Sequence, residues 1–222
     1  MTGSRLGDGL AALGIREGAG ELLERYLGEL ERWNAKYGFV KATAEELVTK
    51  HALDSIAGAP IVARLCAGES AEAARPAVLD VGSGAGFPGI PLAIALPGIG
   101  FTLLERSAKK CAFLENCRAL LGLANVRVLQ ADLVSASGGV EPRPRGAYDV
   151  VTFRAVAPLD RFLADLARSQ IAWRYVVSYK GRRDRIDEEL SALGPAARGA
   201  EVLPLPVPFV DEERHLVVIP GS

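Results

Sequence analysis

Three glycines alternate with other residues directly after a run of apolar residues. The segment reads Val78-Leu79-Asp80-Val81-Gly82-Ser83-Gly84-Ala85-Gly86-Phe87-Pro88-Gly89. The apolar part predicts a buried strand, and the missing side chains after it let a ligand approach the backbone. Ligands of open α/β sheets bind at the carboxyl ends of the strands, so this turn is a predicted binding site. Its candidate contacts are Asp80, Gly82, Gly84 and Gly86.

The register of the glycines separates two classes of ligand. Residues 84–89 spell G-x-G-x-x-G, a pattern of dinucleotide-binding enzymes. That pattern begins where the strand ends, at Gly82, and then requires glycine at position 87, where Phe87 stands. We expect Phe87 and Pro88 to crowd a pyrophosphate, which argues against an oxidoreductase. The spacing favours a ligand with an amino acid end, an adenosine end and no phosphate, such as S-adenosylmethionine.

Two carboxylates further along the chain fit the same ligand. Glu105 ends the second predicted strand, where it can accept hydrogen bonds from both ribose hydroxyls. Asp132 follows the third, where it can accept from an adenine amino group beside the backbone of Leu133 and Val134. Helix capping is the alternative for both carboxylates. Together with the glycine turn, the two carboxylates indicate this ligand more specifically than any one of the features alone.

The first 67 residues are predicted to be helical. Thr43, Ala44, Glu45 and Glu46 form a capping box that opens a second helix. The stretch 68–76 is a linker of small residues, so we expect a helical extension before a domain spanning residues 77–222. Before the capping box, an apolar stripe at three-and-four spacing marks a helix over residues 17–36: Leu22, Leu23, Tyr26, Leu27, Leu30 and Trp33.

From residue 77 onward, predicted strands alternate with helices. This alternation predicts an α/β fold with a mostly parallel sheet covered on both faces. The last two strands have no helix between them, which predicts an antiparallel strand at the end of the sheet. Residues 135–146 are a predicted loop. The predicted strands are Ala77–Val81, Gly100–Leu104, Val126–Leu129, Asp149–Phe153, Ile171–Tyr179, Glu201–Leu205 and His215–Ile219; the helices are Pro88–Leu96, Ala108–Leu121, Leu159–Arg168 and Asp184–Leu193.

Composition excludes several classes of protein. Of the 222 residues, 49% are hydrophobic and 24% are charged, as in soluble globular proteins rather than disordered ones. The apolar runs are too interrupted to span a bilayer, and two histidines are too few for a metal centre. Three cysteines without a C-x-x-C pair, and no signal-peptide pattern, predict a cytoplasmic protein that binds neither metal nor membrane.

A net charge of −1 conceals a basic stretch. Between Arg145 and Arg185 there are nine basic residues and four aspartates, an excess of five. Such a stretch is typical of a face that docks a polyanion, whereas an ordinary solvated surface is the alternative. The basic residues are Arg145, Arg154, Arg161, Arg168, Arg174, Lys180, Arg182, Arg183 and Arg185.

Six blocks of sequence resemble one family. The segment from Asp80 to Leu92 is similar to the cofactor loop of the ribosomal RNA small-subunit methyltransferase G family, formerly glucose-inhibited division protein B. The resemblance covers nearly the whole chain and implies a class I methyltransferase (Rossmann-like) fold with a helical N-terminal extension. It implies methylation of guanine N7 in bacterial 16S ribosomal RNA with S-adenosylmethionine. The other blocks are Trp33–Tyr37, Lys50–Ser55, Phe153–Ala155, Tyr179–Gly181 and Glu213–Ile219.

The resemblance also implies individual contacts. By position in the family motifs, the cofactor contacts are Gly82, Phe87, Leu133, Val134 and Arg154. The chain departs from the family after the first-helix signature, where residues 38–40 are Gly-Phe-Val instead of Asn-Leu-Thr. The family also commonly has aspartate at position 105, so the carboxylate is kept. The adenine contact assigned to residue 132 comes from this sequence alone.

Guanine N7 carries a lone pair and no proton. Direct transfer of a methyl group therefore needs orientation rather than a general base. Arg154, at the end of the fourth predicted strand, is the candidate catalytic residue; it can hold the cofactor carboxylate or the guanine, and a structural salt bridge is the alternative. Lys180 and Arg214 are candidate RNA contacts, with ordinary exposed cations as the alternative. The base must be unpaired or extruded to be reached.

Other functions fit parts of the pattern. One is a methyltransferase of a small molecule or of another RNA, and another is a binding module without activity, which does not need the intact glycine turn. The predicted partner is small-subunit ribosomal RNA or the 30S particle, and we expect a monomer. Tyr37 and Trp33 can stack on bases, although core packing better explains Trp33. His51 and Asp54, three residues apart, are given no catalytic role.

Overall fold

The structure is a computed structural model that describes residues 2–16, 18–67, 75–134 and 147–221. Helices precede the first strand, and strands and helices then alternate as predicted. The elements are α1 (Thr2–Ala12), α2 (Ala19–Tyr37), α3 (Ala44–Glu46), a π-helical segment (Leu47–Leu53), α4 (Asp54–Ala57), α5 (Ala59–Cys66), β1 (Ala77–Val81), α6 (Gly89–Ala95), β2 (Gly100–Glu105), α7 (Ala108–Leu121), β3 (Val126–Gln130), β4 (Ala147–Arg154), α8 (Leu159–Ser169), β5 (Ala172–Lys180), α9 (Arg183–Leu193), a 3₁₀ turn (Gly194–Ala197), β6 (Glu201–Pro204) and β7 (His215–Pro220).

The described strands form one sheet of seven, in the order β3-β2-β1-β4-β5-β7-β6. β1 to β5 are parallel, and β7 runs antiparallel to both β5 and β6. The predicted mostly parallel sheet with an antiparallel C-terminal strand is confirmed. The antiparallel strand is not at the edge, because β7 pairs on both sides and leaves β6 as the outer strand.

Helices cover both faces of the sheet. α1, α2, the π-helical segment and α4 to α7 pack in one hydrophobic core with inward residues of β1, β2, β4, β5 and β7. The opposite face carries α8 and α9 over a second core. The N-terminal helices therefore share a core with the sheet and with α6 and α7. The proposed linker lies mostly outside the described residues, so the division into extension and domain stays a prediction.

The helix after residue 43 begins as predicted. Thr43 Oγ1 accepts a hydrogen bond from the Glu46 backbone N–H at 3.2 Å, and the Glu46 carboxylate accepts one from the Thr43 backbone N–H at 3.0 Å. Beyond this capping box the backbone widens into the π-helical segment, which the sequence pattern did not indicate. Short π-helical stretches occur frequently at functional sites.

Gly58 permits close contact between the N-terminal helices and the sheet. A Cβ atom at Gly58 would lie 2.3 Å from the hydroxyl of Tyr179 on β5. That hydroxyl donates a hydrogen bond to the Ser55 carbonyl at 2.7 Å. A side chain at position 58 would therefore push this part of the helical layer away from the end of β5.

The three cysteines are buried free thiols. Within the described ranges, none of the helices is long and apolar enough to cross a membrane. The same residues contain no cluster of three or more histidine, cysteine, aspartate or glutamate side chains suited to a metal ion.

Candidate functional site

A cleft of about 480 Å³ opens at the carboxyl ends of the central strands. It lies where the chain order reverses between β1 and β4, the expected ligand position in an open α/β sheet. Its volume is within the usual range for small-molecule sites. The lining residues come from the ends of β1 and β2, the segments after β3 and β4, and helices α7 and α8.

Many of the predicted site residues converge on this cleft although they come from distant parts of the chain. The remaining predicted cofactor residues, Asp80, Gly84, Gly86 and Phe87, are not part of its lining. The predicted residues that line it are Gly82, Glu105, Asp132, Leu133, Val134 and Arg154.

Glu105 is fixed at the end of β2. Its side chain is only 7% exposed, its Oε2 accepts the Gly84 backbone N–H at 2.9 Å, and its Oε1 accepts the Ser107 backbone N–H at 2.8 Å. Ser107, rather than Glu105, is the N-cap of α7. The capping alternative for Glu105 therefore does not hold. The carboxylate is held in place between the glycine turn and α7 while it faces the cleft.

Asp132 lies in the segment after β3, within the cleft wall. Its Oδ1 accepts the backbone N–H of Val134 at 3.1 Å, which fixes the local turn. Leu133, between them, is buried and supplies apolar surface. The arrangement offers one carboxylate and an apolar wall side by side, as an adenine ring with an exocyclic amino group requires.

Two of the glycines are required for different reasons. Gly82 has φ of 68°, and a Cβ atom there would lie 2.7 Å from Val156, which lines the cleft. Gly86 has φ of 98°, and a Cβ atom there would lie 2.8 Å from Ile90 and 2.9 Å from the Tyr26 hydroxyl. Gly82 thus keeps the cleft wall close, whereas Gly86 lets the turn pack against α2 and α6.

Asp80 is fully buried beneath the glycine turn. Its Oδ2 accepts the backbone N–H of Gly89 at 3.2 Å, at the start of α6. Among the described atoms, its Oδ1 has no hydrogen-bond partner. Burial raises the pKa of the carboxyl to about 7, and the hydrogen bond from the Gly89 backbone N–H opposes that rise. Asp80 therefore organises the turn from behind the cleft.

Phe87 lies among the N-terminal helices. Its ring contacts Tyr26 edge-on, with centroids 5.5 Å apart, and His51, with centroids 5.1 Å apart. The Arg154 guanidinium lies over the same ring, 5.2 Å from its centroid. The ring therefore supports Arg154 and does not line the cleft, and the expectation that it crowds a pyrophosphate stays a prediction.

Arg154 ends β4 and is clamped by the π-helical segment. Its Nη1 donates to the Lys50 carbonyl and to Asp54 Oδ2, each at 3.2 Å, and its Nη2 donates to His51 Nδ1 at 2.6 Å. Because the guanidinium can only donate, this nitrogen of His51 accepts and the ring is neutral. Burial and the charge of Arg154 lower the pKa of His51 to about 4. Arg154 thus forms the structural salt bridge that was the alternative interpretation, and it also lines the cleft.

Asp54 joins two arginines behind the cleft. Its side chain is 5% exposed, and its two oxygens form ion pairs with Arg154 Nη1 and Arg214 Nε, each at 3.2 Å. Burial raises the pKa of Asp54, and the two guanidinium groups oppose that rise. The sequence analysis assigned no catalytic role to Asp54 or His51. Their three-residue spacing was the available signal, but it did not identify the distant arginine.

The predicted RNA contacts are already paired. Lys180 Nζ contacts the two carboxylate oxygens of Glu189 at 3.0 and 2.7 Å, and Arg214 pairs with Asp54. Both residues therefore lie near the site, but each already pairs with a carboxylate of the same chain. Their role as RNA contacts stays a prediction.

The basic stretch is less positive in the structure than in its sequence window. Extending the window to Glu189 adds three acidic residues and lowers the excess from five to two. Exposed pairs of this kind contribute little stability, so the arginines can exchange partners, but the local field is weaker. Arg145 lies outside the described residues. The observed pairs are Arg161 and Arg168 with Asp165, Arg174 with Asp149, Arg182 with Asp184, Arg183 with Asp187, and Arg185 with Glu188.

Several cleft residues were missed by the sequence analysis. Ala155 has a left-handed backbone with φ of 54°, and Val156 beside it is exposed. Strained non-glycine residues of this kind cluster at functional sites. Phe162 of α8 and Lys110 of α7 also line the cleft. Helical periodicity predicted both helices but not which of their residues would face the ends of the strands.

Comparison with known proteins places this architecture among methyltransferases. A sequence model described as rRNA small subunit methyltransferase G (GidB) matches residues 19–217. The chain is 39% identical over 204 residues to ribosomal RNA small subunit methyltransferase G of Treponema pallidum (strain Nichols), covering 89% of this chain and 83% of that protein. It is 38% identical over 225 residues to the protein of the same name from Ralstonia nicotianae, covering 100% and 96%.

A solved structure shares the fold at low sequence identity. The human methyltransferase 10 domain containing protein superposes with a TM-score of 0.60 at 14% identity, covering 94% of this chain and 100% of that one. The similarity confirms the predicted class I methyltransferase fold.

Proposed function

The chain belongs to the rRNA small subunit methyltransferase G family, and from this premise we propose that it methylates guanine N7 of small-subunit ribosomal RNA, with S-adenosylmethionine as the methyl donor. The observation that carries the proposal is the convergence of predicted residues from four strand ends on one cleft. A family name alone would not require that these positions meet.

The residues of the cleft fit the methyl donor. Glu105, with both oxygens oriented by backbone N–H groups, would accept hydrogen bonds from the ribose hydroxyls. Asp132 and the backbone of Leu133 and Val134 would hold the adenine. Arg154, at the opposite wall, would hold the carboxylate of the amino acid end or the target base. The mixture of fixed carboxylates and apolar wall suits a nucleoside without phosphate better than it suits a dinucleotide.

The donor, when bound, supplies a methyl group on a positively charged sulfur, which a lone pair can accept directly. The protein then has to orient the acceptor and exclude competing geometries, because guanine N7 has no proton to lose. The carboxylates of the cleft are consistent with a reaction that needs no general base. Glu105 and Asp132 accept backbone N–H groups, and Asp165 pairs with Arg168. None of these three is presented as an unengaged general base.

The chain's own residues therefore act by position. The clamp on Arg154 removes rotational freedom from a side chain at the cleft, so its guanidinium is already oriented when ligands arrive. Pre-organised donors of this kind cost little reorganisation in the transition state. Arg154 is the proposed catalytic residue in this positional sense, and Lys180 and Arg214 are proposed to contact RNA phosphates.

The test is methylation of small subunits that lack the modification. Purified protein is incubated with labelled S-adenosylmethionine and undermethylated small subunits, or with the naked RNA, and the modified base is mapped. We expect one labelled guanine carrying the methyl group on N7. The matched control is Arg198→Ala, which changes an exposed residue just before β6, the outer strand of the sheet. It should retain full activity.

Two outcomes would contradict the proposal at different levels. Label on a different atom of the RNA would refute the N7 assignment and the argument that no general base is needed. The proposal that RNA is the substrate would stand. Label transferred to a small molecule but not to RNA would refute the RNA substrate itself and support the small-molecule alternative.

A further inference from the structure

An aromatic and basic surface lies beside the cleft, where the end of α2 meets the start of α7. The rings of Tyr37 and Phe39 are nearly parallel, with an interplanar angle of 15° and centroids 5.6 Å apart. Lys36 Nζ lies 5.2 Å from the centroid of the Tyr37 ring, and Lys109 Nζ lies 4.8 Å from it. We call these four residues the Tyr37 platform.

The backbone holds the two rings together. Gly38 caps α2 in the left-handed conformation, with φ of 62°, which reverses the chain after Tyr37. The Asn34 side chain then donates to the Val40 carbonyl at 2.7 Å and accepts the Val40 backbone N–H at 2.8 Å. The loop is thereby fixed at both ends of the reversal, so the arrangement of the rings is determined before any ligand binds.

Core packing explains only the back of this surface. Trp33 stacks on Phe39 with an interplanar angle of 28°, contacts buried Phe113, and donates its indole N–H to Glu29 at 2.8 Å. Those contacts anchor Trp33 in the fold. They involve neither Lys36 nor Lys109, the two exposed lysines that make cation–π contacts with the half-exposed ring of Tyr37.

The platform adjoins the cleft through the start of α7. Lys109 belongs to the first turn of α7, and its neighbours Arg106 and Lys110 both line the cleft. Neither Lys36 nor Lys109 forms an ion pair with a carboxylate among the residues that the structure describes, in contrast to most cations of the basic stretch. Unpaired ammonium groups beside an aromatic face are therefore concentrated here rather than between residues 145 and 185.

We propose that the Tyr37 platform binds single-stranded RNA next to the target nucleotide, an inference that rests on the proposed function. One base stacks on Tyr37 in place of the lysine ammonium groups, and Lys36 and Lys109 move onto the adjacent phosphates. Stacking of bases on aromatic rings, combined with a basic track for the backbone, is the general mode of single-strand binding. A target guanine must be unpaired to enter the cleft, so the neighbouring nucleotides are available for such contacts.

The experiment compares RNA binding by Tyr37→Ala, by the double variant Lys36→Ala/Lys109→Ala, and by the control Arg198→Ala. Each is titrated against a short unstructured RNA of small-subunit sequence, by fluorescence anisotropy at several salt concentrations. Tyr37→Ala should weaken binding roughly tenfold, as loss of one stacked base does. The lysine double variant should lower the slope of log K against log salt by roughly 0.7 for each lost phosphate contact. Arg198→Ala should change neither.

Stacking has a second signature that does not depend on affinity. In a Trp173→Phe background, Trp33 is the single remaining tryptophan, and it lies against the platform. RNA should quench its fluorescence, and Tyr37→Phe, which keeps the ring, should retain both the quenching and the affinity. The lysine variant removes only exposed side chains, so it tests the proposal even if Tyr37→Ala fails to fold.

The outcomes separate the platform from the function. If wild-type protein methylates small-subunit RNA while the Tyr37 and lysine variants bind RNA like Arg198→Ala, the platform is refuted and the function stands. If those variants bind naked RNA normally but methylate the assembled particle poorly, the surface contacts a protein and the RNA proposal is overturned. If wild-type protein neither binds nor methylates RNA, the proposed function itself fails.

Discussion

Removal of the Asp54 carboxylate should both destabilise the protein and lower the affinity of the cleft for the methyl donor. Asp54 is 5% exposed and pairs with Arg154 and Arg214, which are 18% and 23% exposed. Breaking a buried ion pair by removing one partner costs about 3–5 kcal/mol. Because both arginines retain some contact with water, we expect Asp54→Ala to lower the free energy of unfolding by about 3 kcal/mol, near the lower end of this range. For a chain of this length, that lowers Tm by roughly 6–12 °C.

A double-mutant cycle isolates the clamp from general destabilisation. Denaturant unfolding of Asp54→Ala, Arg154→Ala and the double variant should give a coupling of about 1–3 kcal/mol, since the two side chains are in direct contact. Calorimetry with S-adenosylmethionine should show weaker binding for Asp54→Ala, although Asp54 does not line the cleft. Asp187→Ala, which breaks the exposed pair with Arg183, is the control and should cost less than about 1 kcal/mol.

The clamp would be refuted by additivity. If the Asp54 and Arg154 effects sum to within about 0.5 kcal/mol, their contact contributes nothing specific to stability. If Asp54→Ala binds the methyl donor as tightly as Asp187→Ala, Asp54 does not position Arg154. Asp54→Asn serves as the conservative variant: it preserves volume and one acceptor, so it should retain more of the donor affinity than alanine does.

Three further predictions follow from single residues. Gly84→Asp should lower methyl-donor affinity at least roughly tenfold by calorimetry, because the Gly84 N–H orients Glu105 in the cleft and a second carboxylate there would repel it; Gly122→Asp, equally left-handed but at the end of α7, should not. The lowered pKa of His51, about 4 against an ordinary 6.5, means that only the unfolded state gains a proton in that range; wild-type stability should therefore fall relative to His51→Gln as pH falls from 6.5 to 4. The raised pKa of Asp80, about 7 against 3.8, has the opposite sign: denaturation should show wild-type protein losing stability relative to Asp80→Asn as pH rises from 4 to 8.

The alternation of strands and helices was predictable because each element carries a local signal. α7 begins and ends at the predicted residues, 108 and 121, where Ser107 caps its start and Gly122 its end. Most strands extend one or two residues beyond the prediction, because ladder pairing continues past the apolar run. β4, for example, includes Ala147 and Arg154, both paired with β5.

The π-helical segment was not predictable from the sequence pattern. Its buried residues, including Leu47, Val48 and Leu53, occupy spacings that an α-helix accommodates equally well. The contacts at this segment are made by Arg154, about a hundred residues away in the chain. Local periodicity contains no information about a partner at that separation, so the site was found without the element that supports it.

Two other features depend on structure that a local sequence pattern does not describe. The direction of the Phe87 side chain depends on three left-handed glycines before it, and side-chain direction cannot be deduced from spacing once the backbone departs from regular structure. The basic stretch was counted to Arg185, but the carboxylates that pair with Arg183 and Arg185 are Asp187 and Glu188, which lie one helical turn further on. Charge windows that end inside a helix omit partners three and four residues away.

The pairing of Arg154 has a consequence for the charge of the cleft. The proposed donor, S-adenosylmethionine, carries a positive sulfur and a positive amino group against one carboxylate, so an uncompensated guanidinium in the wall would attract the carboxylate but repel the molecule's net positive charge. Asp54 pairs with both Arg154 and Arg214, so its carboxylate offsets part of the charge of the two guanidinium groups, while the neutral His51 adds none. The same carboxylate that joins the helical layer to the end of β4 therefore also lowers the positive potential that Arg154 would exert on the proposed donor. This is a physical reason for the helical layer to share a core with the sheet, because independent movement of the two would separate Asp54 from Arg154 and make the wall of the cleft more positive.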